Sequence, residues 1–170
     1  LAATLLLGNT GAVVSGLMLL AVPVAAWGAW RLLKVVGRLV DPLGLPRWLL
    51  VWGALTYALV PVTSGAWAEG RFGTVAVAAL LPWAAHAALG FVDPDRDRRW
   101  RAAWRTALLL AVGAAFVPGF WLFALLATAV VLGAAAVIAP RLLRERDSWG
   151  PPVVAVAATP LLLAPWLLPL

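Results

Sequence analysis

No cysteine occurs in this sequence of 170 residues, and histidine, methionine and tyrosine occur once each. The missing cysteine excludes disulfides, thiolate metal sites and a cysteine nucleophile, and leaves the redox compartment open. One histidine and seven scattered acids form no metal-ligand cluster, so neither a metal nor a cofactor is expected. Charge is also scarce: 12% of residues are charged and 64% are hydrophobic, against about 25% and 45–50% in an ordinary soluble domain. A soluble chain of this length has too little interior for so much apolar surface, which makes the bilayer the expected solvent.

The net charge of +6 comes from 13 Lys and Arg against 7 Asp and Glu. The cations gather at the ends of apolar runs, where the positive-inside rule places them, so nucleic acid is not the expected partner. Membrane lipids are. The chain starts at Leu1 in an apolar stretch and ends at Leu170 inside another, which reads as a piece of a longer membrane protein. Residues 1–7 are too few to span and lack the basic region of a signal peptide; they read as the tail of a preceding helix or an interfacial turn, broken by Gly8-Asn9-Thr10-Gly11.

The expected architecture is all-α, a single polytopic membrane module over 1–170. Its six proline-interrupted spans fall at about 11–33, 48–64, 73–92, 102–117, 119–139 and 151–170. Proline inside a membrane helix is tolerated where neighbouring helices or water satisfy the carbonyl it frees. Between the spans lie three basic loops, 31–47, 93–105 and 140–149. In the first, RLLKVVGRLV spaces its cations by three and four, which predicts a helix lying along the surface and ended by Asp41-Pro42. Pro151-Pro152 are expected to start the last span.

Residues 106–139 are long enough for one kinked helix or two short ones. Charge decides. If this stretch crosses twice, turning at Pro118-Gly119, 12 of the 13 basic residues share one face, which is then cytoplasmic in a bacterial plasma membrane. The turns near 8–10, 65–72 and 118–119 face the other side.

The one acid–base couple outside the basic loops is Glu69 and Arg71. They are the candidate substrate-binding residues. A guanidinium matches phosphate oxygens with paired donors, so Arg71 suits a lipid-linked phosphate, with Glu69 orienting it or acting as a base. The bland reading is a solvated turn with one charge of each sign. His86, inside a span, reads first as a neutral hydrogen-bonded histidine, and the arginines of 93–105 as topology signals that also suit anionic head groups or a soluble partner domain. The 11 tryptophans read chiefly as interface anchors, with Trp67 and Trp121 open to a sugar-stacking role. No catalytic residue is identified.

The run LLLGNTGAVVSGLMLLAVPVAAWGAWRLL, a basic segment, WGALTYALVPVTSGAWAEGRFGTVAVAALLPWAAHA, an arginine-rich loop and ALLLAVGAAFVPGFWLFALL together resemble the membrane region of large actinobacterial family-2 glycosyltransferases. They are more distantly similar to GT-C-type membrane glycosyltransferases, including mycobacterial cell-wall arabinofuranosyltransferases. The resemblance implies a cell-envelope glycosyltransferase module acting on a polyprenyl-phosphate sugar or a glycolipid acceptor, with a soluble transferase domain elsewhere in the full chain. It also implies an incomplete active site here, because no acidic extracytoplasmic loop follows the first span. A transporter or flippase, with its broken helices, and a passive membrane anchor for a catalytic domain remain open alternatives.

Overall fold

The computed structural model describes residues 10–141 and 144–167. The segment 1–7, the Gly8-Asn9 part of the first turn and Pro169 lie outside the described residues. Among the described residues there is no strand. The elements are α1 (Thr10–Val40), α2 (Arg47–Thr63), α3 (Phe72–Ala88) with a 3-10 turn (Leu89–Val92), α4 (Arg96–Phe116), α5 (Gly119–Ile138) and α6 (Arg146–Leu167). Three stretches are long and apolar enough to cross a membrane: Val14–Val40, Phe72–Val92 and Gly119–Ile138. Arg47–Thr63 is apolar but shorter, about 26 Å of helix against a hydrocarbon core of about 30 Å.

The chain divides into two compact units, Leu1–Trp83 and Ala84–Leu170. In the first, α2 runs back along α1. The register is marked by Leu33 against Gly53 and by Ala25 against Ala58. Buried small residues recur every fourth position on both helices, Ala25 and Ala29 on α1, Ala54 and Ala58 on α2. Such a stripe lets helix backbones approach closely, which is how helices associate where apolar burial gives no driving force. From α3, Ala79 joins Ala25 and Ala58 in the core cluster. In the second unit the principal pairing is α4 with α6. Ala102, Ala103, Thr106, Ala107, Leu110 and Ala111 are buried on α4, and Ala155, Val156, Ala158 and Thr159 on α6. On α5 only Phe120 is buried; Leu122, Phe123, Leu126, Val130 and Val131 are exposed, as suits a helix whose outer surface meets lipid.

The stretch 106–139 is broken into α4 and α5, with Val117 extended and Pro118 as the N-cap of α5. The two-helix reading therefore holds.

Three boundaries differ from expectation. The basic segment after Arg31 is no separate surface helix: α1 continues without a break to Val40 and stops before Asp41-Pro42. Nothing between Arg31 and Val40 breaks a helix except Gly37, and Leu45 packs over that glycine. The arginine-rich loop shrinks likewise. Asp95 caps α4 by accepting from the Asp97 N–H at 2.9 Å, so the helix begins at Arg96 and takes the arginines into its first turns. Finally, Pro151 and Pro152 do not start α6. It begins at Arg146, and both prolines lie inside it.

Proline has no N–H, so inside a helix it leaves the carbonyl four residues earlier without its helical donor. Three such carbonyls receive a donor from another helix. Pro82 frees Ala78, and the Tyr57 hydroxyl donates to the Ala78 oxygen at 2.8 Å. Pro151 frees Asp147, whose oxygen accepts from Arg99 Nη1 at 3.1 Å. Pro160 frees Val156, whose oxygen accepts from Trp121 Nε1 at 2.9 Å. The prolines and their donors thus set helix–helix register, because each donor has one carbonyl to reach.

Candidate functional site

Glu69 and Arg71 sit in the turn between α2 and α3. Gly65 and Gly70 both adopt positive φ, 78° and 65°, a region costly for residues bearing a Cβ. They fold the chain back so that Glu69 N–H donates to the Gly65 carbonyl at 3.0 Å and Arg71 N–H to that of Ala66 at 2.9 Å. This turn brings the two side chains together as an ion pair through Arg71 Nε and a Glu69 carboxylate oxygen. The side chains are 65% and 54% exposed for Arg71 and Glu69 respectively, so water solvates both and the pair contributes little to stability. With its side chain 65% exposed, Arg71 is open to a second anion from solvent.

Beneath this turn Ala21, Val22, Ala25, Ala58, Pro61, Trp67, Val75 and Ala79 line a narrow gap. It is apolar and too tight for water. Trp67 points its indole into this packing rather than outward, and its Nε1 is buried with no hydrogen-bond partner among the described residues. That is not the posture of a sugar platform. Trp121 is committed as well, through its bond to Val156. His86 is partly buried on α3 and engaged in an interaction of its own.

At the other end of the first unit stand Arg31, Lys34, Arg38 and Arg47. The antiparallel course of α1 and α2 puts α1's C-terminal turns beside the start of α2, away from the Glu69–Arg71 turn. In the second unit Arg96 and Arg98 are paired with acids. Asp147 binds Arg96 Nε at 3.1 Å, and Arg98 lies 3.9 Å from Asp93 and 3.5 Å from Asp95. Because Asp147 opens α6 while Arg96 and Arg99 open α4, these contacts place the basic segments around 93–105 and 140–149 side by side. An open hollow of about 540 Å³ there is lined by Arg96, Asp97, Trp100 and Arg101.

Sequence reasoning passed over Tyr57 and Trp83, and gave Arg99 and Trp121 other roles than the donor roles they have here. Their signal was present but indirect: a proline inside an apolar run demands a donor somewhere, and a buried tyrosine or tryptophan needs an acceptor.

No protein-family model, curated protein or solved structure matches this chain.

Proposed function

We propose that the chain is the membrane module of a cell-envelope glycosyltransferase that handles a lipid-linked sugar or a glycolipid acceptor. In this reading all six helices are spans, and the segments 31–47, 93–105 and 140–149 face the cytoplasm of a bacterial plasma membrane. The Glu69–Arg71 turn faces outward, and a soluble transferase domain elsewhere in the full chain carries the catalytic groups. A polyprenyl phosphate is the matching ligand, because its phosphate would meet Arg71 while its tail lies along the exposed apolar helices.

The observation that carries this reading is the position of Arg71. It stands at the opposite end of its unit from Arg31, Lys34, Arg38 and Arg47, in the turn between two apolar helices, paired with Glu69 and 65% exposed. An exposed guanidinium offers paired donors that match phosphate oxygens. The order of apolar runs and basic segments, which resembles the family-2 and GT-C-type enzymes, supports the transferase class. The exposure of the pair favours a binding and anchoring part over a complete active site.

The test is sugar transfer from a polyprenyl-phosphate donor in membranes carrying the full-length protein. Arg71→Ala is expected to lower transfer about tenfold or more, the scale of one lost charge-assisted hydrogen bond, and Glu69→Gln less. Transfer unchanged in both variants removes the pair from the mechanism. No transfer by the unmodified protein removes the transferase reading itself.

A further inference from the structure

The first unit holds a second cationic feature, built differently from the Glu69–Arg71 turn. Trp83 of α3 lies against α1 at Gly28. A Cβ added to Gly28 would come within 2.7 Å of Trp83 Cδ1, so only glycine admits the indole there. The indole is then fixed by donating from Nε1 to the Val24 carbonyl at 3.1 Å. On this fixed ring rests Arg31, its guanidinium carbon 5.3 Å from the ring centroid. One turn on, Lys34 Nζ lies 5.2 Å from the ring centroid of Trp30. Both contacts have cation–π geometry.

These cations are held by rings, not by acids. None of the ion pairs found among the described residues includes Arg31, Lys34, Arg38 or Arg47. The one acid nearby in sequence, Asp41, has its Oδ1 accepting from the Leu43 N–H at 3.0 Å. In the second unit, by contrast, Arg96 and Arg98 have carboxylate partners. An arginine held over an aromatic ring rather than by a carboxylate has no anionic partner of its own, and its guanidinium donors suit a bidentate oxyanion.

Below these cations runs an apolar stripe. Leu20, Val24, Trp27 and Arg31 follow one another at helical spacing along α1, and Leu20, Val24 and Trp27 are exposed. From Val14 to Trp30 the helix has no charged residue, about 25 Å of rise. Most of a hydrocarbon core of about 30 Å is thus traversed before the first cation appears, which sets Arg31 and Lys34 at head-group depth.

We propose that Arg31 and Lys34, poised on Trp83 and Trp30, form a site for the phosphate of an anionic glycerophospholipid, whose acyl chain lies along Leu20, Val24 and Trp27. The site rests on membrane residence of the chain and is independent of the transferase reading.

The experiment reconstitutes the chain in vesicles of equal phosphatidylglycerol and phosphatidylcholine and counts retained lipids by native mass spectrometry. The unmodified chain should retain phosphatidylglycerol over phosphatidylcholine by about tenfold or more, since each cation at the surface contributes about fivefold. The Arg31→Gln/Lys34→Gln variant should retain both lipids alike. Arg96→Gln/Arg101→Gln, with the same loss of charge, should keep the preference. Arg31→Lys, which keeps charge but not the planar fork, should lower it, and this milder variant serves if the double one fails to fold. Equal retention by the unmodified chain, or an unchanged preference in both Arg31 variants, overturns the site. So does displacement of the lipid by excess inorganic phosphate, which would indicate a free-anion site. Flotation separates the two premises: a chain that does not float with vesicles refutes membrane residence, whereas one that floats without lipid preference refutes only this site.

Discussion

The Tyr57 hydroxyl donates to the Ala78 carbonyl at 2.8 Å, the carbonyl that Pro82 deprives of its helical donor. The only tyrosine in the chain is thereby committed to the one backbone oxygen on α3 that a proline has freed. The bond ties α2 to α3 and makes the proline a register mark. If so, the two residues are coupled. Tyr57→Phe is expected to destabilise the fold by roughly 0.5–2 kcal/mol, and by much less in a Pro82→Ala background, where the restored N–H serves Ala78. Denaturation in mixed micelles of the four members of this cycle measures the coupling; equal costs in both backgrounds would show that the bond does not depend on the proline.

The same logic applies to Trp121 and Pro160. Trp121→Phe keeps a ring but loses the donor to Val156. Its cost is expected at about 1 kcal/mol, and Pro160→Ala should relieve it. Amide hydrogen exchange at the α5–α6 contact would report the loosening directly.

Asp147 offers a sharper separation, because it accepts twice, through its carboxylate from Arg96 and through its backbone carbonyl from Arg99. Asp147→Asn leaves the carbonyl in place and removes only a charge pair whose arginine is exposed, so a cost under about 1 kcal/mol is expected. Arg99→Met removes the donor to a carbonyl already freed by Pro151. A cost of about 1–3 kcal/mol is expected there. Thermal unfolding of the two variants should rank them in that order.

Glu69→Gln should alter thermal stability by no more than about 0.5 kcal/mol, because both partners of its ion pair are more than half exposed. A larger loss, read by the same melting experiment, would mean that the turn itself depends on the pair.

The absence of cysteine makes the chain a clean background for single-cysteine labelling. Under the proposed six-span layout, Ala68→Cys and Pro118→Cys should react with an impermeant thiol reagent from one side of the membrane, and Arg98→Cys and Arg144→Cys from the other. Ala68 is chosen over Gly70 because Gly70 has positive φ. Labelling of positions 68 and 98 from the same side would refute the layout.

What residue order alone determined here is class and rhythm. A chain so poor in charge suits a lipid surrounding, apolar run length limits each helix, and the distribution of the cations favours two helices over one in residues 106–139, turning at Pro118-Gly119. It also showed that Glu69 and Arg71 are set apart from the remaining cations. It did not show where helices end beside charge. Arginines that read as loop became the first turns of α4, since an Asp95 cap and favourable helical propensity outweigh a polar composition. Only the tertiary structure decided which donor answers each proline, that Gly28 admits Trp83, and that Arg31 lies on that ring. These pairings join residues as many as 59 positions apart. Local propensity and periodicity act over a few turns of helix, so they carry no information about which distant carbonyl a buried N–H or O–H will meet.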